Sequence, residues 1–132
     1  MKELSIEAKI ENLNAVQDFI KSELEASGIS AKMQSQIKIV VEEIFVNIAC
    51  YAYKPDTGGA VIRIASGDEI VIEFEDWGKP YNPLVKDDPD ITATAKEREP
   101  GGLGIFMVKK IMDTVEYRRD ENRNILTIKA IK

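Results

Sequence analysis

Gly101-Gly102-Leu103-Gly104-Ile105-Phe106-Met107-Val108-Lys109-Lys110 is the stretch on which the reading of this chain turns. Two glycines, an apolar residue and a third glycine open an amphipathic run of helical period. Glycine lets the backbone take φ > 0 and lets a ligand come close to the chain. The helix N-terminus behind it carries unpaired N–H groups and the positive end of the helix dipole, which suit a phosphate. A glycine-rich loop that merely precedes a helix explains the same residues, because short glycine motifs recur by chance. The surrounding sequence has to decide between the two.

Upstream, Leu4, Ile6, Ala8 and Ile10 alternate with polar residues and predict a half-buried strand. From Asn12 the period becomes helical through Leu13, Val16, Phe19, Ile20 and Leu24, with a stop near Ser27-Gly28. Ser30 suits the N-cap of a second helix carrying Met33, Ile37, Val40, Val41, Ile44 and Ile48, which ends before Lys54-Pro55. Val61–Ile64 and Ile70–Phe74 predict a hairpin across Ser66-Gly67-Asp68. Residues 77–100 have no period and contain Pro80, Pro83, Pro89 and Pro100, a loop long enough to suggest function or disorder. After the glycine-led helix, over about Leu103–Met112, strands follow near Thr114–Arg118 and Ile125–Ile131. The pattern implies an α+β two-layer sandwich in one domain, residues 1–132, with helices on one face of a mixed, mostly antiparallel sheet. A parallel pair is expected where two strands are joined by a helix.

Composition narrows the chemistry. The 132 residues contain no histidine and one cysteine, Cys50. That removes histidine acid–base catalysis, the serine–histidine–aspartate triad, histidine-containing zinc sites and an internal disulfide. Any chemistry must then use carboxylates, lysines, backbone dipoles or a bound metal. A net charge of −5 disfavours direct nucleic-acid binding. No apolar run of about 18 residues predicts a membrane span. The N-terminus lacks an apolar signal core, so a cytoplasmic protein is the simplest expectation.

Two further segments carry functional side chains. In Val40-Val41-Glu42-Glu43-Ile44-Phe45-Val46-Asn47-Ile48, Glu43 and Asn47 are four apart and share a helix face within apolar surroundings. A carboxamide oxygen is a good Mg²⁺ ligand, and a partly buried Glu can serve as a general base. An exposed polar stripe is the plainer explanation of the same residues. In Glu75-Asp76-Trp77-Gly78-Lys79-Pro80-Tyr81-Asn82-Pro83, Asp76 ends an apolar strand, placed to accept a hydrogen bond from a ligand amine. A strand-terminating turn accounts for the residue types, but not for the long loop that leads on to the glycine motif.

Together the three segments resemble the ATP-binding domain of the GHKL superfamily, the Bergerat fold of type II topoisomerases, sensor histidine kinases and mismatch-repair ATPases. Glu43-x-x-x-Asn47 is similar to its first motif, Asp76-Trp77-Gly78-Lys79-Pro80 to its second and Gly101-Gly102-Leu103-Gly104 to its third. The Pro80 variant, followed by Tyr81-Asn82-Pro83, resembles the small stand-alone anti-sigma-factor serine kinases.

The resemblance implies ATP and Mg²⁺ as cofactors. It implies Glu43 as catalytic base, Asn47 as Mg²⁺ ligand, Asp76 as reader of the adenine amino group and Gly78 beside the base. Gly102 and Gly104, with Leu103 between them, would meet the phosphates. Thr127 would support the adenine site. Residues about 84–100 would form an ATP lid whose Lys96 and Arg98 can meet the γ-phosphate. Tyr51 departs from the histidine common among related kinases. The expected function is an ATP-dependent serine/threonine protein kinase that binds a sigma factor and phosphorylates a STAS-type anti-anti-sigma protein, regulating transcription. A homodimer is carried as a further association. The alternatives are a nucleotide-dependent binding switch without phosphotransfer and a stand-alone histidine-kinase catalytic domain acting in trans.

Overall fold

The computed structural model describes residues 1–85 and 102–131. In chain order it forms β1 (Lys2–Glu7), α1 (Leu13–Ala26), α2 (Ala31–Asn47) and a π-helical turn (Ile48–Ala52). Then come β2 (Gly59–Ser66), β3 (Glu69–Asp76), a short 3₁₀ turn (Pro83–Val85), α3 (Gly102–Ile111), β4 (Thr114–Asp120) and β5 (Arg123–Ile131). The strands make one open sheet in the order β1-β2-β3-β5-β4.

Local chemistry sets these bounds. The Ser30 hydroxyl accepts from the Met33 N–H at 3.2 Å, so α2 starts at the expected cap. Gly28, at φ 70°, turns the chain out of α1. β1 stops earlier than the alternation suggests. Asn12 Nδ2 donates to the Glu7 carbonyl at 2.9 Å and Ile10–Asn12 winds into a 3₁₀ turn, which leaves Ile10 exposed.

Strand register places whole rows on one face. Leu4, Ile62, Phe74, Leu126 and Tyr117 align across the sheet, as do Ile64, Ile72 and Ile128. These rows meet Val16, Ile20 and Leu24 of α1, Ile37, Val41 and Phe45 of α2, and Val108 of α3. Ile62, Ile72 and Ile128 are fully sealed. Each such residue contributes about 1.5–3 kcal/mol through burial, and a one-residue slip would expose the row.

The other face is charged, over a buried row of Val61, Glu75 and Ile125. Glu75 is buried there between Arg63 Nη1 at 2.6 Å and Arg123 Nη1 at 2.8 Å. Arg63 also meets Glu3 and Glu73, and Arg123 meets Asp120. Burial works to raise the Glu75 pKa, but the hydrogen bonds and charges of Arg63 and Arg123 outweigh it and hold the carboxyl below its usual range.

The two-layer α+β arrangement is as expected, with one correction. All four strand pairings are antiparallel, so the sheet is not mixed. Two helices separate β1 from β2, and an even number of helices brings the chain back antiparallel. A single helix joins β3 to β4, which do run in the same direction, but β5 lies between them. The expected lid, beyond its first two residues, lies outside the described residues, as do Lys96 and Arg98.

Candidate functional site

Glu43 and Asn47 lie on the last turns of α2 and face α3. Asn47 Nδ2 donates to Glu43 Oε1 at a long 3.4 Å. Glu43 is half-buried, and burial pushes its carboxyl pKa up. The Asn47 hydrogen bond opposes that shift and the Glu42 charge adds to it. Gly104 of α3 sits directly against this carboxylate: a Cβ there would overlap the carboxyl group of Glu43. Glycine at this position leaves room for the Glu43 carboxylate, which any larger residue would have to displace.

Beyond Asn47 the helix widens into the π turn. Such turns recur at functional sites because they re-aim side chains without ending the helix. Here the turn carries the Ala52 carbonyl to the Lys79 N–H, at 3.0 Å. Gly78 lies so close to that carbonyl that a Cβ would collide with it. Tyr53 ties the same corner together, donating to the Gly59 carbonyl and accepting from the Trp77 N–H.

Between the helical layer and the sheet lies a cavity of about 280 Å³. Ile44, Ile48, Phe74, Ile105 and Leu126 contribute apolar walls, and Asp76 and Asn47 contribute polar groups. Asp76 is the last residue of β3 and is buried. Its Oδ1 accepts from the Gly78 N–H at 2.9 Å and from Asn124 Nδ2 at 3.0 Å. Burial raises the Asp76 pKa, and those two hydrogen bonds and the charge of Arg119 oppose the rise. An apolar slot with a carboxylate in its wall suits a flat heteroaromatic ring bearing an amino group.

The donor set near Asn47 fits Mg²⁺. The Asn47 Nδ2 group is used on Glu43, and its Oδ1 has no hydrogen-bond partner among the described residues. Those residues contain no group of three or more acidic, histidine or cysteine side chains that could hold a metal. Mg²⁺ keeps most of its waters and takes one or two protein ligands plus phosphates, so a single carboxamide oxygen is sufficient.

The sequence candidates are thus partly assembled. Asn47 and Asp76 line one cavity, and Glu43 and Gly104 meet at the α2–α3 contact beside it. Gly78 buttresses Ala52 and is not among the lining residues. α3 begins at Gly102, with Leu103 next in its first turn. Thr127 is a correction: it pairs with Glu73 and Glu116 on the charged face and is not among the residues that line the cavity. Strand alternation is the reason, since Leu126 and Ile128 point into the core and force Thr127 outward.

Sequence reasoning missed Asn124, which stands opposite Asp76 in the strand register and lines the cavity. It also missed Tyr117 and Lys54 in the walls. The parity of β5 held the signal, because Asn124, Leu126 and Ile128 share one face.

A family model described as Histidine kinase-like ATPase domain matches residues 6–130. Among similar proteins, the serine-protein kinase RsbW of Bacillus cereus is 27% identical over 98% of this chain and 84% of its own length. The serine-protein kinase RsbW of Bacillus mycoides is 28% identical with the same coverage. The serine/threonine-protein kinase BtrW of Bordetella bronchiseptica is 24% identical over 75% of this chain and 71% of its own.

Proposed function

The chain belongs to the histidine kinase-like ATPase domain family, and from that premise we propose that it is an ATP-dependent serine/threonine protein kinase. Its protein substrate is a STAS-type anti-anti-sigma protein, its second partner is a sigma factor, and it works in the cytoplasm. The observation that carries the reading is the cavity with Asp76 in its wall and the Glu43–Asn47 pair beside it. The kinase names of relatives that align over nearly the whole chain support the reaction class.

In this reading Asp76 accepts the amino group of adenine, and the apolar walls take the ring. The first turn of α3 presents its N–H groups to the phosphates. Asn47 Oδ1 would hold Mg²⁺, which offsets phosphate charge when bound. Glu43 takes the proton from the incoming hydroxyl as its oxygen bonds to the γ-phosphorus. The bond from that phosphorus to the β–γ bridging oxygen breaks, and ADP departs. Phosphoryl transfer needs little beyond such positioning and charge stabilisation.

The test is incubation with labelled ATP, Mg²⁺ and a STAS-domain protein encoded beside this chain, followed by phosphosite mapping. Acid-stable phosphate on a serine or threonine of the partner is expected. No transfer, or acid-labile phosphate on a histidine, would overturn the reading.

A further inference from the structure

Asn124 lines the cavity, yet both polar groups of its side chain are taken up by protein partners. Its Nδ2 hydrogens go to Asp76 Oδ1 at 3.0 Å and to the Lys79 carbonyl at 2.8 Å. Its Oδ1 accepts from the Tyr117 hydroxyl at 2.5 Å, Arg119 Nη1 at 3.2 Å and the Tyr81 N–H at 3.3 Å. Turning the amide over would set its NH₂ against the Arg119 and Tyr81 donors and its oxygen against two acceptors, so one orientation is favoured. The residue is 7% exposed, and its hydrogen bonds join β5 to β3, to β4 and to the loop after β3.

The consequence falls on Asp76. Its Oδ1 is saturated by Asn124 and the Gly78 N–H, while Oδ2 has no hydrogen-bond partner among the described residues. We propose that Asn124 is a positioning residue for base selectivity: it clamps one oxygen of Asp76 and leaves the other as a bare acceptor for a nucleobase amino group. The proposal rests on the nucleotide reading above and adds a determinant on β5 to the one on β3.

The chemistry of the alternative shows why the clamp matters. A free carboxyl in an apolar slot drifts toward its neutral form. A neutral carboxyl carries an O–H donor and can meet the carbonyl of guanine as readily as it accepts from the amino group of adenine. Among the influences that oppose the burial-driven rise of the Asp76 pKa, the Asn124 hydrogen bond is the largest, followed by the Gly78 N–H and Arg119. Asn124 therefore fixes which oxygen is free and favours the charged form of the acceptor.

Two variants isolate this role. Asn124→Val and Asn124→Thr have nearly the same shape and suit a strand. Both lose the amide contacts to Lys79 and Tyr81, so any general structural damage moves them together. Thr alone keeps a donor for Asp76. Calorimetry with Mg-ATP and Mg-GTP gives the selectivity of each. The wild-type protein is expected to prefer ATP about tenfold or more, the scale of a charge-assisted hydrogen bond. Asn124→Val is expected to lose most of that preference and Asn124→Thr to recover most of it. A Val variant with wild-type selectivity, or Thr and Val variants with equal selectivity, would overturn the positioning role alone. A wild-type protein with no preference for ATP would overturn the nucleotide reading, and the proposal with it.

Discussion

Burial and one long hydrogen bond set the character of Glu43. The raised pKa leaves it more basic than an exposed glutamate, as a proton acceptor near neutrality should be. Glu43→Gln keeps the shape and the contact with Asn47 but cannot take a proton. It should retain Mg-ATP affinity and lose roughly 10²- to 10⁴-fold in transfer rate, the usual share of general acid–base catalysis. A base at Glu43 would work only when ionised, so the proposed role requires the wild-type rate to fall as pH drops through the elevated pKa. That acid limb should lie above the ordinary glutamate value of about 4.3 and vanish in the variant. Single-turnover rates across pH decide it, and lost binding with unchanged transfer would contradict the assignment. Helical spacing puts Glu43 and Asn47 side by side, but only the resemblance of the three motifs singles them out from an exposed polar stripe. Asn124 is not, because its importance exists only through a cross-strand partner. Thr127 fails for the complementary reason: its chemistry is suitable, but the parity of β5 turns it to the wrong face.

At the level of elements, α2 and α3 approach so closely that the carboxylate of one fills the space a side chain would take on the other. A glycine in a phosphate motif is ordinarily explained by its ligand, whereas Gly104 also answers to Glu43. Gly104→Ala must therefore push the carboxylate aside or move α3. Its expected effect is weaker Mg-ATP binding and slower transfer, in a protein that still unfolds cooperatively with heat. A variant with wild-type nucleotide affinity and rate would show that the contact is dispensable. The helices themselves are readable from apolar period and the Ser30 cap. The π turn is not, since Ile48-Ala49-Cys50-Tyr51-Ala52 has ordinary helical composition. Its docking against Gly78 and Lys79 is a tertiary matter that no local pattern records.

For the whole molecule, motif order predicts the layered architecture, and the number of helices between strands carries their directions. Strand order stays hidden, because pairing between distant segments leaves no mark on either one. That order has a temporal side. β2 with β3 and β4 with β5 close through short turns, whereas Leu4 must find Ile62 across the two intervening helices. Contacts between such distant segments carry the larger loop-closure entropy and form late. β1 also has a single neighbour and only half-buried Leu4 and Ile6 to hold it. Amide protons of β1 should therefore exchange with solvent well before those of β3, which is flanked on both sides. Native-state exchange followed by NMR would read this directly, and equal protection of the two strands would refute it. The N-terminal strand is thus one edge at which this sheet can come undone while β3, paired on both sides, keeps Asp76 and Asn124 together.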